Sequence, residues 1–335
     1  MPIIDFPKEI VPEGCFLDQI PKAPTGRYAH LIFVRETESF PIFQTDGTLN
    51  ITKVSAGLHS DNSLIRLAMF KRKQSSPERL TGRELLRRMN ITQNEDSDGD
   101  DYCDYNENFC GTCPDCVYYG FAIADSGSEK SKVYVDTACS ITGYDESHQQ
   151  FSFNALYEKG NMSQYGDVRS SFGEQDHIVP QVFFPSVITI KDVTVHSFTY
   201  VLNNVLRTKR YGAQTTRTGR LSNHIVGVVF ADGEIFSNLK FTQAIHDGLG
   251  EDKNEIPLNP TKVLQTAQNT LSALLEDDGV IYHLLNRENL KQLLAIVKSV
   301  TRDEEKLQLF LQEANTETQE YAARVIQKAS NKKQK

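Results

Sequence analysis

Residues 194–208, TVHSFTYVLNNVLRT, have the spacing of an amphipathic helix, and the fold prediction starts from them. Their apolar side chains fall at intervals that share one helical face: Val195, Phe198, Val201, Leu202, Val205 and Leu206. A basic segment with two glycines, RTKRYGAQTTRTGR at 207–220, follows directly. Residues 224–235 then predict a strand, a turn at Asp232–Gly233 and the start of another strand. The order is therefore helix, basic loop, strand.

The chain before this helix supplies further elements. Residues 28–34 and 49–57 predict strands. RLTGRELLRRMN at 79–90 predicts a basic helix, in which Thr81 and Glu84 have capping-box spacing. Three more strands are predicted at 132–138, 149–157 and 181–190. A proline in the last of them, Pro185, favours a sheet edge or a bulge.

The element order strand, helix, strands, helix, strand indicates an α+β fold with a ferredoxin-like, RRM-like βαββαβ palm. Large insertions interrupt this palm, and a helical C-terminal appendage follows it, with Pro260 near the start of its first helix. The expected thumb is a long loop, because 161–176 show neither a helical nor a strand period. The predicted division is a palm at 25–90 and 117–245, an acidic zinc-binding insertion at 91–116, a thumb-like loop at 160–180 and a helical region at 255–330.

Charge is distributed unevenly along the 335 residues, whose formal net charge is −8. No Asp or Glu occurs between Asp192 and Asp232, and this stretch contains the basic segment 207–220. Residues 66–90 hold eight bases against two acids, a local charge of +6. An acidic chain that keeps two segments basic is expected to hold an anion there.

Composition also limits the class of protein. The sequence contains no apolar run near the roughly 18 residues that span a bilayer. The first residues, MPIIDFPKEIVPEG, lack the basic-then-apolar pattern of a secretory signal. A cytosolic protein with reduced cysteines is therefore expected.

Four of the six cysteines are crowded together: Cys103, Cys110, Cys113 and Cys116. Thiolates at C-x-x-C spacing converge on one ion, and tetrahedral Zn²⁺ accepts four of them, so we expect a zinc site. Four thiolates leave no position for water, which makes the zinc structural rather than catalytic. An iron–sulfur cluster and four unrelated thiols are the alternatives; the ferredoxin-type run is incomplete here.

Catalytic signatures are absent from the sequence. The eight histidines are scattered, and there is no H-E-x-x-H helix, G-x-S-x-G elbow or P-loop. Asp61 follows a predicted strand in SAGLHSDNS, where it is either a loop-capping residue or a weak candidate for holding a metal or polarising a water.

Three segments together resemble the RAMP superfamily of CRISPR proteins: TGRELLRRM at 81–89, CPDCVYYGF at 113–121 and RYGAQTTRTGR at 210–220, which precedes a strand. The chain is most similar to the Csc2 family, the crRNA-binding backbone subunit of type I-D Cascade, over roughly 25–245. The basic loop departs from the family pattern, because only Gly212 and Gly219 remain of a glycine-rich loop.

The resemblance implies a protein without enzymatic activity that acts in CRISPR-Cas antiviral defence. Several copies would polymerise head to tail along crRNA as a helical filament and present it for pairing with target DNA. Large, capping and small Cascade subunits would be the further partners. Related RAMP proteins cut RNA with a loop aspartate, which leaves a nuclease acting through Asp61 as an alternative. A crRNA-processing endonuclease and an iron–sulfur redox protein are more distant alternatives.

Guide sequences vary, so a guide-holding subunit should contact sugar and phosphate rather than base edges. Basic, hydroxyl and amide side chains suit such contacts, and one tyrosine is a candidate for stacking on a base. The RNA-binding candidates are Arg207, Lys209, Arg210, Tyr211, Gln214, Thr215, Arg217 and Arg220 of the basic loop, with Lys71, Arg83 and Arg87 of the basic helix. The acidic insertion has the charge to dock on a neighbouring copy's basic surface.

Overall fold

The structure is a computed structural model that describes residues 2–92, 103–123, 127–154, 163–164, 167–168, 172–212 and 218–333. No helix in these ranges is long and apolar enough to cross a membrane.

The strands and helices of the described residues follow in chain order. The strands are β1 (Tyr28–Thr37), β2 (Gln44–Thr45), β3 (Thr48–Leu49), β4 (Ile51–Ser55), β5 (Ser63–Met69), β6 (Phe121–Ile123), β7 (Gly127–Glu129), β8 (Val133–Val135), β9 (Ala138–Cys139), β10 (His148–Asn154), β11 (Ser163–Gln164), β12 (Asp167–Val168), β13 (Phe172–Ile178), β14 (Phe183–Lys191), β15 (Arg210–Tyr211), β16 (Gly219–Ala231) and β17 (Tyr282–Leu284). The helices are α1 (Lys71–Arg88), α2 (Pro114–Tyr119), α3 (Tyr144–Ser147), α4 (Val195–Arg207), α5 (Asn238–Gly248), α6 (Pro260–Glu276), α7 (Arg287–Thr301) and α8 (Glu304–Lys333), with a 3-10 helix at Gly250–Asn254.

The main sheet has the strand order β15-β16-β1-β14-β8, and β17 also pairs with β16. Every neighbouring pair is antiparallel. Strand β1 lies in the middle of this sheet, bonded along almost its whole length to β14 on one side and to β16 on the other. The fold is thus mixed α and β, with an antiparallel sheet at its centre.

Strand β1 is buried on both faces, which explains its continuous apolar sequence. Because successive side chains point to opposite faces, Leu31 and Phe33 enter a core that includes residues of α1, α4, α7 and α8. Ile32 and Val34 enter a second core, built largely with α5 and α6. Helices therefore cover both faces of the sheet.

The C-terminal helices belong to this body rather than forming an appendage. Leu293 and Val297 of α7 and Phe310 of α8 lie in the same core as β1. Strand β17, between α6 and α7, is part of the main sheet. The predicted start of the first C-terminal helix is confirmed, because Pro260 is the first residue of α6 and Asn259 caps it.

Helix α4 confirms the prediction made from 194–208. Thr194 is its N-cap, and a capping box joins it to Ser197. The Thr194 hydroxyl oxygen accepts the Ser197 N–H at 3.1 Å, and the Ser197 hydroxyl oxygen accepts the Thr194 N–H at 2.9 Å. Phe198, Val201, Leu202 and Val205 are buried, as their spacing predicts.

The basic helix α1 begins at Lys71, ten residues before the predicted cap at Thr81. The Thr81 hydroxyl instead donates to the Pro77 carbonyl oxygen at 3.0 Å, one turn earlier. A threonine that bonds back in this way satisfies its hydroxyl inside a helix, so capping-box spacing alone was misleading. The earlier start places Arg72 and Lys73 on the helix.

The predicted loop at 161–176 is wrong where the structure describes it. Residues 172–178 form β13, which pairs antiparallel with β10, and β11 pairs with β12. A pairing between segments distant in sequence supplied the strand, and the local pattern did not contain that information. Residues 232–233 also connect β16 to α5 rather than to another strand.

The prediction that Pro185 lies at a sheet edge is confirmed for its own part of β14. Pro185 pairs with Val34 of β1, whereas β8 pairs with β14 only at Ile188, Thr189 and Ile190. Within the described residues the other side of β14 is therefore unpaired at Pro185, which has no backbone N–H to offer a neighbour.

Helix α8 is held to α4 by a histidine between two carboxylates. His196 lies 3.5 Å from an oxygen of Glu313 and 3.5 Å from an oxygen of Glu317. Burial lowers the pKa of His196, but the two glutamates outweigh burial and raise the pKa above its ordinary value. Glu317 also accepts hydrogen bonds from Tyr118 and Thr194, so it joins α8 to α2 as well.

We expect His196→Gln to reduce the free energy of unfolding more at about pH 5.5 than at about pH 9. The charged histidine stabilises the fold fully below its unfolded pKa of about 6.5, and this contribution is lost as pH rises through the higher folded pKa. Urea denaturation at both pH values measures the difference, with His59→Gln in an exposed turn as the control. Equal losses at the two pH values would contradict the assignment.

Candidate nucleic-acid interface

The two basic segments of the sequence meet across one groove. One wall is α1. The other is the chain from the last residue of α4, Arg207, to Gly212, together with Thr218; this wall is called the segment that leaves α4. The groove has a volume of about 970 Å³ and is lined by Arg72, Lys73, Ser76, Pro77, Leu80, Thr81, Glu84, Arg207, Thr208, Lys209, Arg210, Gly212 and Thr218. Five of these residues are basic and one is acidic, so the charge of the groove suits an anion.

A buried ion pair fixes the two walls relative to each other. The side chains of Arg35 in β1 and Glu78 in α1 are at most 1% exposed. Arg35 Nη2 lies 2.9 Å from Glu78 Oε1. Burial lowers the pKa of Arg35, but Glu78 and Tyr211 outweigh it and raise that pKa, so the guanidinium is charged. Burial raises the pKa of Glu78, and Arg35 opposes this shift. The pair therefore keeps α1 at a fixed place on the sheet.

The same network holds the segment that leaves α4. Arg35 donates to the Tyr211 hydroxyl oxygen at 3.0 Å and to Asn223 Oδ1 at 2.7 Å. The Tyr211 hydroxyl donates to Glu78 at 3.1 Å. Asn223 Nδ2 donates to the carbonyl oxygens of Val205 and Thr208. Both walls of the groove are thus bonded to one buried group, the Arg35 guanidinium and its partners.

Tyr211 was predicted to stack on a base, and this prediction is wrong. Its side chain is 0% exposed, and its hydroxyl belongs to the buried network. The residue closes the base of the basic loop instead, because β15 and β16 pair Arg210 with Arg220 and Tyr211 with Gly219. A side chain on Gly219 would lie 2.3 Å from the Pro41 nitrogen, so only glycine fits there.

Arg207 lies at one end of the groove and is held in place from two sides. Its Nε donates to Asn203 Oδ1 at 2.8 Å, and its Nη2 donates to the carbonyl oxygen of Thr301. Burial, with the charge of Arg88, lowers the pKa of Arg207. Lys209 is half-buried and Arg210 is exposed. Three predicted RNA-binding residues therefore line the groove together.

The remaining candidates are dispersed. Lys71 is exposed and lines a neighbouring cleft on the other side of α1, and Arg87 is half-buried. Arg220 is exposed and forms an ion pair with Glu38. Gln214, Thr215 and Arg217 lie outside the described residues.

Arg83 was predicted to contact RNA, and the structure corrects this. Its guanidinium is 2% exposed and forms an ion pair with Asp115 at 2.5 Å. It also donates to the Cys103 sulfur at 3.0 Å. Arg83 therefore faces the cysteine cluster, because α1 turns this side of its surface inward.

The four predicted metal ligands converge. The sulfur atoms of Cys103, Cys110, Cys113 and Cys116 all lie within 4.8 Å of one another. The separations from Cys103 are 3.8 Å to Cys113 and 3.5 Å to Cys116. A tetrahedral ion with metal–sulfur bonds of about 2.3 Å has sulfur–sulfur edges of about 3.8 Å, so these thiols fit one metal ion. An iron–sulfur cluster with several irons would hold its thiolates further apart.

Two arginines of α1 bind the cysteine-bearing segment. Asp115 is fully buried on α2 and accepts hydrogen bonds from Arg79 at 2.8 Å and from Arg83 at 2.7 Å. The two arginines come from α1, which is also one wall of the groove. The cysteine-bearing segment is therefore attached to the groove by charge as well as by the core.

Asp61 is exposed in the turn between β4 and β5 and lines none of the clefts described here. Among the described residues, the only group of three or more cysteine, histidine or acidic residues placed to hold a metal is the cysteine cluster. Asp61 thus has no second metal ligand beside it in the described part of the chain.

Sequence reasoning did not select Arg72 and Lys73, which line the groove. It placed them in a basic segment but started the helix after them. It also missed a cleft lined by Ser39, Phe40, Phe151, Phe153, Gln175, His177 and Thr218, which depends on the unpredicted β10–β13 pairing.

The fold and groove define a class of protein: an antiparallel sheet between helices, with a basic groove suited to a polyanion. The family follows from comparison with known proteins. The sequence model of the Csc2 CRISPR family matches residues 15–311, and the chain belongs to that family. No curated protein sequence matches the chain.

The fold of this chain is similar to that of a solved member of the family. The crystal structure of Thermofilum pendens Csc2 superposes with a TM-score of 0.60 at 15% identity, over 92% of this chain and 94% of that one. A chain of a CRISPR RNA-guided surveillance complex in a pre-nicking state gives a TM-score of 0.48 at 13% identity, over 78% and 92%. Another chain of such a complex gives 0.44 at 13% identity, over 77% and 87%.

The buried pair generates a test of how the groove is held together. We expect Glu78→Met alone to cost about 3–5 kcal/mol of unfolding free energy, because it leaves the Arg35 charge buried without an opposite charge beside it. The double variant with Arg35→Met should be less destabilised than the sum of the two single variants. Urea denaturation of all four proteins gives this coupling.

A second buried arginine provides the matched control. Arg66 is 0% exposed and donates to the carbonyl oxygens of Ala56, Ser140 and Ile141. Combining Arg66→Met with Glu78→Met should give additive losses. Additive losses for Arg35 and Glu78 as well would show that the two residues do not act as a pair.

Proposed function

We propose that this chain is the crRNA-binding backbone subunit of a type I-D Cascade effector in CRISPR-Cas antiviral defence. Several copies polymerise head to tail along one crRNA, and the filament presents the guide for pairing with target DNA. The observation that carries the proposal is the groove between α1 and the segment leaving α4, with five bases against one acid in an acidic chain.

The chemistry of the groove suits a backbone held without regard to sequence. Its lining offers guanidinium, ammonium and hydroxyl groups, which bind phosphate and ribose. A guide varies in sequence from one complex to the next, so its holder gains nothing from reading base edges. Membership in the Csc2 CRISPR family supports the same assignment.

The sheet supports the proposal of a ferredoxin-like, RRM-like palm. Taken in chain order, β1, α1, β8, β14, α4 and β16 form a βαββαβ series. In the sheet these strands lie in the order β16-β1-β14-β8, with β8 and β1 separated by β14. This is the split arrangement of two βαβ units that the ferredoxin-like motif has.

The hairpin of β10 and β13 is proposed as the thumb that faces the bound strands. The cleft beside it contains aromatic side chains, of which Phe40 and Phe153 are 39% and 43% exposed, and it reaches Thr218 at the end of the basic loop. Exposed aromatic rings offer faces on which bases stack irrespective of sequence.

Zinc is proposed as the metal of the cysteine cluster, with a structural role. Cys103, Cys110, Cys113 and Cys116 would supply all four ligands, which leaves no position for a substrate or water. The acidic segment before the cluster is proposed to dock on the basic surface of the next copy in the filament. Large, capping and small Cascade subunits complete the assembly, in the cytoplasm.

The subunit is proposed to bind without cutting. The alternative is a RAMP-type nuclease that cuts the bound target strand at subunit intervals, with Asp61 as the loop aspartate. Asp61 is exposed in a turn, and within the described residues no group of potential metal ligands includes it. This favours binding alone.

We expect the chain to bind single-stranded RNA of unrelated sequences with similar affinity. The variant Lys209→Ala/Arg210→Ala should weaken all of them several-fold and lower the slope of log affinity against log salt by roughly 1.4, about 0.7 for each lost phosphate contact. Fluorescence anisotropy across a salt series measures both quantities. Lys22→Ala/Lys53→Ala removes the same charge from exposed positions elsewhere.

An unchanged slope in the Lys209/Arg210 variant would remove this groove from the binding site. The same reactions, run with Mg²⁺ and resolved on a denaturing gel, report cleavage. Cleavage of RNA or DNA that is lost in Asp61→Ala would replace the proposed function with the nuclease alternative.

For the metal, we expect one equivalent of zinc per chain in elemental analysis and no absorption in the visible range. Chelation should destabilise the segment around α2, since metal binding contributes to the free energy of folding. Cys110→Ser should lower zinc content, whereas Cys139→Ser, a buried cysteine outside the cluster, should not. Bound iron with visible absorption would overturn the zinc assignment.

A further inference from the structure

A second groove adjoins the first and shares Arg207 and Lys209 with it. It runs from α4 to the junction of α7 and α8 and has a volume of about 620 Å³. Its lining consists of Arg88, Asn203, Leu206, Arg207, Lys209, Lys298, Thr301, Arg302, Asp303, Glu304 and Leu307. The C-terminal helices therefore contribute one wall of a groove that continues from the nucleic-acid interface.

Arg207 lies at the boundary between the two grooves. It is bonded to Asn203 of its own helix and to the last turn of α7 through the Thr301 carbonyl oxygen. These bonds fix the guanidinium at the boundary, and Arg88 is close enough for its charge to lower the pKa of Arg207. Two cations held near each other at a surface are stabilised by an anion that lies between them.

The charges of the second groove are available for a ligand. Arg88, Lys298 and Arg302 are exposed, and in the described ranges none of them forms an ion pair with a carboxylate. The acids of this groove are Asp303 and Glu304, and Asp303 is engaged at the start of α8 by the backbone N–H and the ammonium group of Lys306. Five bases therefore stand against two acids.

Three lysines elsewhere on this acidic chain form ion pairs with carboxylates. Lys262 lies 2.6 Å from Asp252, Lys8 lies 2.9 Å from Glu13, and Lys240 lies 3.4 Å from Asp277. Lys298 and Arg302 have no such carboxylate partner among the described residues, and they lie beside other bases in one groove, so their charges can act together on an anionic ligand.

We propose that the second groove is a second segment of the nucleic-acid track, in which Arg88, Lys298 and Arg302 hold phosphates of the same single strand that occupies the first groove. The inference rests on the proposed function, and it assigns the C-terminal helices α7 and α8 a direct part in binding. The strand crosses between the grooves over Arg207 and Lys209, which line both.

The test is Lys298→Ala/Arg302→Ala in the full chain, measured on mixed-sequence single-stranded RNA of about 16 nucleotides, long enough for an extended groove. The expected result is a several-fold loss of affinity. The slope of log affinity against log salt concentration should also be lower by roughly 1.4. Lys291→Ala/Lys22→Ala removes two exposed lysines outside the groove and should leave both quantities unchanged. Arg88→Gln provides an independent variant from the opposite wall.

Comparison with the first groove separates the two claims. If Arg72→Ala/Lys73→Ala weakens binding and both second-groove variants do not, the proposed function stands and the continuation is wrong. If no variant of either groove changes affinity, both are wrong. Sedimentation of the RNA-free chain measures self-association. If self-association is lost in Lys298→Ala/Arg302→Ala while RNA affinity is unchanged, the second groove is a contact between copies and the proposal is wrong.

Discussion

The ion pair between Arg35 and Glu78 is the interaction on which the rest of this structure depends. It lies inside the protein, where each charge alone would be costly, and it joins the central strand of the sheet to helix α1. Through Tyr211 and Asn223 the same guanidinium fixes the chain that leaves α4. The groove is thus shaped by the buried network of Arg35, Glu78, Tyr211 and Asn223 beneath it. The cations that line the groove are not part of this network.

This arrangement explains how an acidic chain presents a basic surface. Arginines that the fold uses are buried with partners: Arg35 with Glu78, and Arg83 with Asp115. Arg72 and Arg210, which line the groove, are exposed. The charge that an anion meets therefore comes from a minority of the basic residues, and the net charge of −8 says little about it.

The sequence predicted the features that depend on local chemistry. The helix at 194–208, the start of α6 and the convergence of four cysteines follow from spacing alone, and the structure has them. The sequence did not predict which basic side chains face solvent. Arg83 and Tyr211 carry the right chemical groups for RNA, but tertiary packing turns both inward, and the β10–β13 pairing was equally invisible in the local pattern.

The proposed function requires nucleic acid to lie in the groove between α1 and the segment leaving α4. Labelling of lysine amines, read by mass spectrometry with and without mixed-sequence single-stranded RNA, tests it most directly. We expect Lys73 and Lys209 to become protected when RNA binds, while Lys22 and Lys53, exposed and outside the groove, stay equally reactive. RNA binding that leaves Lys73 and Lys209 as reactive as before would contradict it.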